Sequence, residues 1–178
     1  MDVQGQCDAG SRFFDIRLTD IHGISYAQHE ASKALGIRAI GEEASHILTG
    51  VNNFLNASPS EIVLIRISKS SPGSLKHLED DLEYYLGSKL FKRDSACNLL
   101  DLPIGLMRGC AIVLIDRKQG GAERINQKKG LHQFLNVTKN KVDRKIVNGT
   151  KAFESVEGVV TCGCYSNKDN FGGMLGDL

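Results

Sequence analysis

The chain has 178 residues, with 22 Lys and Arg against 21 Asp and Glu, so its formal net charge is +1. This length suits one domain, and we expect residues 1–178 to form it. Because no basic excess is available to neutralise phosphates, the composition argues against nucleic acid as a partner. No apolar run reaches the ~20 residues of a membrane span, and the first ten residues lack a signal peptide's apolar block. The sequence does not indicate a cellular compartment, and it is compatible with a longer, secreted protein of which this chain is a part.

The five cysteines are an odd set, which makes a poor disulfide framework. Cys162 and Cys164 have the spacing of metal ligands, but no matching cluster with histidine accompanies them. We therefore expect structural or free thiols and no metal.

The first half of the chain alternates between strand and helix patterns. Residues 10–18 ("GSRFFDIRL") and 23–29 ("GISYAQH") predict two strands separated by a turn. Apolar residues at helical spacing predict an amphipathic helix over 42–56, which "NASPS" ends. The nearly continuous apolar run at 61–68 ("EIVLIRIS") is typical of a strand that is covered on both faces.

The second half continues the alternation less clearly. Leucines at helical spacing predict a helix over 75–86, and "RGCAIVLID" at 108–116 predicts a further buried strand. A helix over part of 139–147 and a last strand at 157–165 complete the predictions. Alternating strands and helices predict an α/β fold with a parallel sheet, although the pattern does not decide between an open sheet and a barrel.

The first strand carries charges that a buried strand does not need. Because alternate residues of a strand share a face, Phe13, Asp15 and Arg17 point one way. Three apolar residues share the other face and should pack under helices: Phe14, Ile16 and Leu18. Asp15 and Arg17 then approach the carboxyl end of the strand, which is the active face of a (β/α) barrel. A structural ion pair in the barrel interior would explain the same charges.

His29 stands at the carboxyl end of the second predicted strand. If the two strands lie side by side, His29 and Arg17 meet at one end of the sheet. A guanidinium suits phosphate oxygens, and a histidine can deliver a proton near neutral pH. The pair therefore predicts cleavage of a phosphodiester, although a lone histidine is more often structural.

Four blocks in this order resemble the X domain of phosphatidylinositol-specific phospholipase C: "QCDAGSRFFDIRL", "YAQH", "NNFLNASPSEIVLIRI" and "MRGCAIVLID". The resemblance covers residues 4 to 117. It implies a TIM-like (β/α) barrel that cuts the phosphodiester between inositol and diacylglycerol at a transient membrane contact. Since such barrels typically need ~250 residues, a partial barrel without its first and last strands is implied.

The resemblance also implies roles for single residues. Arg17 falls where metal-independent members hold the phosphate, Asp15 near the inositol, and His29 on the histidine that protonates the leaving oxygen. Arg17 in place of a Ca²⁺ carboxylate implies that no metal cofactor is needed. In the next strands Arg66, Ser68 and Arg117 are candidate substrate-binding residues, with Ser68 replacing a charged residue of the family.

One expected residue is not in this sequence. The family's first catalytic histidine, the general base, precedes the first block, and this sequence starts at Met1 without that motif. An alternative is therefore a catalytically inactive relative that binds phosphoinositide head groups or a protein. A metal-dependent glycerophosphodiesterase is a third possibility, but Arg17 stands where a second metal-binding acid would be needed. "KKGLHQFL" at 128–135 predicts an ordinary packed helix or, alternatively, a membrane-contacting one.

Overall fold

The computed structural model describes residues 1–32, 37–94, 99, 102–116, 126–135 and 153–154. The first elements are helix α1 (Val3–Asp8), strands β1 (Phe13–Ile16), β2 (Leu18–Ile21), β3 (Ile24–Ser32) and β4 (Ile37–Glu43), and helix α2 (Ala44–Ala57). Strand β5 (Ile62–Ile67), helices α3 (Pro72–Lys76) and α4 (Leu78–Leu86), and strands β6 (Cys110–Asp116), β7 (Leu131–Leu135) and β8 (Phe153–Glu154) follow. Short 3-10 helices lie at Gly87–Lys89, Ile104–Met107 and Gln127–Lys129.

Five strands form one parallel sheet in the order β1-β5-β6-β7-β8. The α/β fold with a parallel sheet is thus confirmed. Within the described residues these strands are not seen to close into a barrel. The register aligns four residues in one row across the sheet: Asp15, Arg66, Leu114 and His132. This row is the level at which the candidate site begins.

The outer face of the sheet, defined as the face that the helices cover, holds the larger core. Helix α2 buries its apolar stripe there, including Val51 and Leu55, which have no exposed surface. Glu43 at its N-cap makes no capping bond through its side chain. Since short helices are marginal by themselves, burial of this stripe stabilises α2. The predicted apolar set of β1, Phe14 and Ile16 with Leu18 beyond, is buried in this core as expected.

The inner face, on the opposite side, changes character along the strands. Near the amino ends it is apolar, with Phe13, Leu64 and Ile112 packed in a second cluster around Phe91. One step further along β1 and β5 stand Asp15 and Arg66. The apolar cluster therefore closes one end of this face, and the polar groups occupy the other.

A three-stranded antiparallel sheet, β2-β3-β4, lies between β1 and α2 in the chain. The sequence pattern does not predict this sheet: residues 10–18 predict one strand, but β1 ends at Ile16 and, after Arg17, the chain continues as β2, which pairs with β3 and not with β5. The β2–β3 turn is at His22 and Gly23, both with positive φ, as two-residue hairpin turns require. Strand β3 is consequently antiparallel to β2.

Arg12 has a structural role at the other end of β1. It pairs with Glu61 at 2.7 Å, donates to the carbonyl oxygen of Cys7 at 2.6 Å, and lies 4.5 Å over the ring of Phe54. It therefore ties α1, α2 and the start of β5 together. Burial raises the pKa of the Cys7 thiol beneath it to about 11, so this cysteine is an unreactive core residue.

Two predicted elements differ from the structure. The helix over 75–86 is divided at His77 into α3 and α4. The predicted helix at 128–135 is wrong: a 3-10 turn ends at Gly130 with φ +80°, and the chain continues as β7 alongside β6. Its short apolar run fits either period, and pairing with β6 decided for the strand. The predictions at 139–147, 157–165, Cys162 and Cys164 lie outside the described residues.

Candidate functional site

An ion pair joins the first two strands of the parallel sheet on its inner face. Asp15 of β1 and Arg66 of β5 are register partners, and Arg66 Nη1 lies 3.3 Å from Asp15 Oδ2. The side chains are 24% and 15% exposed, respectively. The contact is thus open to solvent on one side only. The acid of the first strand therefore has as its partner a base that lies 51 residues further along the chain.

Ser68, directly after β5, completes the surroundings of Asp15. Its hydroxyl donates to Asp15 Oδ1 at 2.5 Å, and Ser68 is only 3% exposed. Each carboxylate oxygen therefore accepts a hydrogen bond, one from a hydroxyl and one from a guanidinium. Two donors in a place with little water hold the carboxylate in one orientation.

Arg17 lies one step further along, where β1 ends and β2 begins. Its side chain is half-buried, and within the described ranges this side chain makes no ion pair and no hydrogen bond. Alternation along the chain places it on the same face as Asp15. An arginine in such a position can offer its planar set of donors to an incoming anion.

His29 is placed differently from Arg17. The Gln28 amide donates to the Arg17 carbonyl oxygen at 2.8 Å, so Gln28 stands opposite Arg17 and His29 follows on the other face of β3. His29 is exposed and is the register partner of Ala39. The strands therefore lie side by side as supposed, but they are antiparallel, and the register does not direct both side chains to one face.

Gln28 is a site residue that sequence reasoning missed. Its side-chain oxygen Oε1 is buried and has no hydrogen-bond partner among the described residues. The sequence would have indicated Gln28 only if β3 were known to run antiparallel to β2, since the residue opposite Arg17 depends on the hairpin register.

His132 is a second residue that the sequence reasoning did not select. It shares the row of Asp15 and Arg66 across the sheet and is 1% exposed. Its Nε2 lies 3.0 Å from the carbonyl oxygen of Phe91, while Nδ1 has no hydrogen-bond partner in the described part of the chain. Burial lowers the pKa of His132, against the opposing effect of the Phe91 carbonyl. Reading 131–135 as a strand would have placed this histidine on the inner face.

Arg117 lies outside the described residues. Over the described ranges, no group of three or more His, Cys, Asp or Glu side chains could hold a metal ion. Over the same ranges no helix combines the length and apolar character that a membrane span requires.

The fold is similar to that of several phospholipases C. Phosphatidylinositol-specific phospholipase C from Listeria monocytogenes matches with a TM-score of 0.57 and 20% identity, over 78% of this chain and 50% of that one. A calcium-dependent phosphoinositol-specific phospholipase C from a Gram-negative Pseudomonas matches with a TM-score of 0.54 and 12% identity, over 77% of this chain and 61% of that one. The chain thus spans between half and about three-fifths of the length of these two proteins.

No protein-family model matches the chain, and no curated protein sequence matches it. Identities of 12% and 20% establish similarity of fold alone. What the chain shares with these phospholipases is therefore a mixed α/β architecture built on a parallel sheet.

Proposed function

We propose that this protein is a phosphodiesterase of the phospholipase C kind, which cleaves the bond between inositol phosphate and diacylglycerol in phosphatidylinositol. The observation that carries the proposal is the polar group at the carboxyl end of β1 and β5, where Asp15, Arg66 and Ser68 are joined beside Arg17. It sits in a fold similar to that of a phosphatidylinositol-specific phospholipase C. In this proposal residues 1–178 form one domain, and the five-stranded sheet belongs to a TIM-like barrel.

The proposed chemistry is attack of an inositol hydroxyl on phosphorus, which forms a cyclic inositol phosphate as the bond from phosphorus to the diacylglycerol oxygen breaks. The proton of that hydroxyl passes to a general base, in the family a histidine that precedes the first block and is not in this sequence. Arg17 binds the phosphoryl oxygens and stabilises the charge that develops on them. Asp15, held by two donors, accepts a hydrogen bond from the inositol, and His29 protonates the leaving oxygen. Arg66, Ser68 and Arg117 complete the head-group contacts. This role for His29 requires that its side chain reach the substrate from β3.

We propose that the reaction needs no metal, since the guanidinium of Arg17 supplies the positive charge. The fold does not decide this point, because the Pseudomonas protein of similar fold is calcium-dependent. Activity that persists in EDTA would support the proposal. Activity that is abolished by EDTA and restored by Ca²⁺ would refute it and favour the metal-dependent alternative.

The substrate would be met at a lipid surface. Ile24 and Ile40 of the antiparallel sheet are 43% and 47% exposed, on the face that also bears Gln28. In contrast, Leu131 and His132 of the earlier membrane candidate are buried. We expect Ile40→Glu to weaken binding to phosphatidylinositol vesicles, measured by sedimentation, with the exposed Ile104→Glu at the opposite end of the sheet as control.

The test of catalysis measures release of diacylglycerol from phosphatidylinositol vesicles by the whole chain. Arg17→Gln and His29→Ala should each lower the rate by at least about 100-fold, the usual contribution of one acid or charge-stabilising group. Arg108→Gln and His46→Ala, both exposed and on segments that carry none of the site residues, should retain the wild-type rate. Equal rates in wild type and Arg17→Gln would refute the assignment.

One observation favours a second candidate, a non-catalytic protein that binds the phosphorylated head group. The hairpin register places Gln28, and not His29, opposite Arg17. An arginine that could bind phosphate is thus left without a neighbouring general acid to protonate the leaving oxygen. This alternative would be established if the chain binds inositol 1-phosphate, loses that binding in Arg17→Gln, and does not cleave phosphatidylinositol. Turnover that depends on His29 would exclude it.

A further inference from the structure

The residues that follow β5 are bonded to the chain on both sides of Arg17. This serine segment, residues 68–71 ("SKSS"), runs beside the junction of β1 and β2. The Ser68 amide donates to the carbonyl oxygen of Ile16 at 2.9 Å. The Ser70 hydroxyl accepts from the Leu18 amide at 2.9 Å. Arg17 is therefore bracketed by one hydrogen bond before it and one after it.

The hydrogen bonds on the two sides of Arg17 are connected to each other through Ser70. The Ser70 hydroxyl also donates to the Ser68 carbonyl oxygen at 3.2 Å, so one side chain is hydrogen-bonded both to Leu18 and to the start of the segment. Between Ser68 and Ser70, Lys69 has φ +43°, a left-handed conformation that is uncommon for a residue with a side chain and that persists only where surrounding contacts fix it.

The far end of the segment is fixed by the next helix. Ser71 is the N-cap of α3, where its hydroxyl accepts from the Ser74 amide at 3.3 Å, and Pro72 occupies the first turn. The Ser71 amide donates to the Leu18 carbonyl oxygen at 2.8 Å, and its hydroxyl also accepts from the Asp20 amide at 3.1 Å. The segment is thus bonded to β2 and to α3 at once.

These bonds act at the one place where the first strand is interrupted. Strand β1 ends at Ile16 and β2 begins at Leu18, and the backbone of Arg17 between them accepts one hydrogen bond, from the Gln28 amide of β3. The serine segment adds a constraint on each side of Arg17. Through Ser68 Oγ it also orients the carboxylate of Asp15.

We propose that Ser70 is a positioning residue that fixes the backbone of Arg17, as Ser68 fixes the carboxylate of Asp15, so that the two present one anion-binding arrangement. The inference rests on the proposed function, which assigns anion binding to Arg17, and it adds the residue that holds that arginine in place. Ser70 itself does not contact the anion.

The experiment uses the full chain, wild type and the variants Ser70→Ala, Ser70→Thr and Ser88→Ala. Ser70→Thr keeps the hydroxyl, and Ser88 is an exposed serine on the 3-10 turn after α4. Two quantities are measured by NMR: the hydrogen-exchange rate of the Leu18 amide, and the affinity for myo-inositol 1-phosphate.

In Ser70→Ala we expect faster exchange at Leu18 and an affinity about threefold to tenfold weaker, as befits the loss of one or two hydrogen bonds. Ser70→Thr should restore both, and Ser88→Ala should change neither. Faster exchange with unchanged affinity would mean that the bond is structural only, which overturns the inference. Unchanged exchange at Leu18 overturns it as well.

Two results with the wild-type chain distinguish a failure of the proposed function from a failure of the Ser70 inference. A wild-type chain that binds inositol 1-phosphate but does not cleave phosphatidylinositol would refute the phosphodiesterase and leave the positioning role of Ser70 intact. A wild-type chain that does not bind the probe would overturn the inference, because there would be no anion site for Arg17 to serve.

Discussion

The pair formed by Asp15 and Arg66 can be tested by a double-mutant cycle. The single variants are Asp15→Asn and Arg66→Met, chosen to keep side-chain volume while removing the charge from one partner. Asp15→Asn places an amide between two donors, Ser68 and Arg66, so one of its contacts becomes a mismatch. Arg66→Met leaves Asp15 with the Ser68 hydroxyl alone.

The magnitude follows from the geometry. Two unit charges 3.3 Å apart attract by about 5 kcal/mol at an effective dielectric constant of ~20. Desolvation offsets most of this attraction, and the partial exposure of both side chains, 15% and 24%, reduces it further. We expect each single variant to lower the free energy of unfolding by about 1.5–3 kcal/mol and the coupling energy to be about 1–2 kcal/mol.

The assay is urea unfolding followed by circular dichroism, with thermal unfolding in support, where about 1 kcal/mol corresponds to roughly 2–4 °C for a chain of this size. The control cycle removes the exposed contact of Lys92 with Glu83, for which we expect no measurable coupling. A coupling energy for Asp15 and Arg66 no larger than that of the control would refute the reasoning.

Three further outcomes are expected. Because burial lowers the pKa of His132, the unfolded chain binds more protons than the folded chain once the pH falls below about 6.5. The free energy of unfolding should therefore fall between pH 7.5 and pH 5.5, and it should fall less in His132→Phe. Identical pH slopes in the two proteins would contradict this expectation. The Cys7 thiol, whose pKa is raised to about 11, should stay unlabelled by iodoacetamide at pH 8 until the chain unfolds, as read by mass spectrometry; rapid labelling of the folded chain would count against its burial. Gly130→Ala should destabilise the fold by about 1–3 kcal/mol in urea unfolding, since φ is +80° and a Cβ would lie 2.6 Å from the Leu90 side chain. Gly105→Ala is the control, because open space surrounds that position. An equal loss of unfolding free energy in the two variants would refute the steric argument.

Local pattern was sufficient for much of the fold. The alternation in "GSRFFDIRL" identifies which residues of β1 are buried against the helices, and Ile16 is buried as that pattern predicts. The helical spacing of apolar residues identifies α2, and the continuous apolar runs identify β5 and β6. Period reveals which face of an element is apolar, because burial follows side-chain direction.

The partners of the charged groups were decided by the tertiary structure. That Asp15 meets Arg66, 51 residues away, follows from the register of two parallel strands, which no local pattern contains. The break at Arg17 and the antiparallel course of β3 likewise decide that Gln28, and not His29, stands opposite Arg17. The sequence by itself thus determined which side chains are polar on a buried strand, whereas their neighbours depended on strand pairing between distant segments, because the free energy of that pairing is gained only when the whole sheet forms.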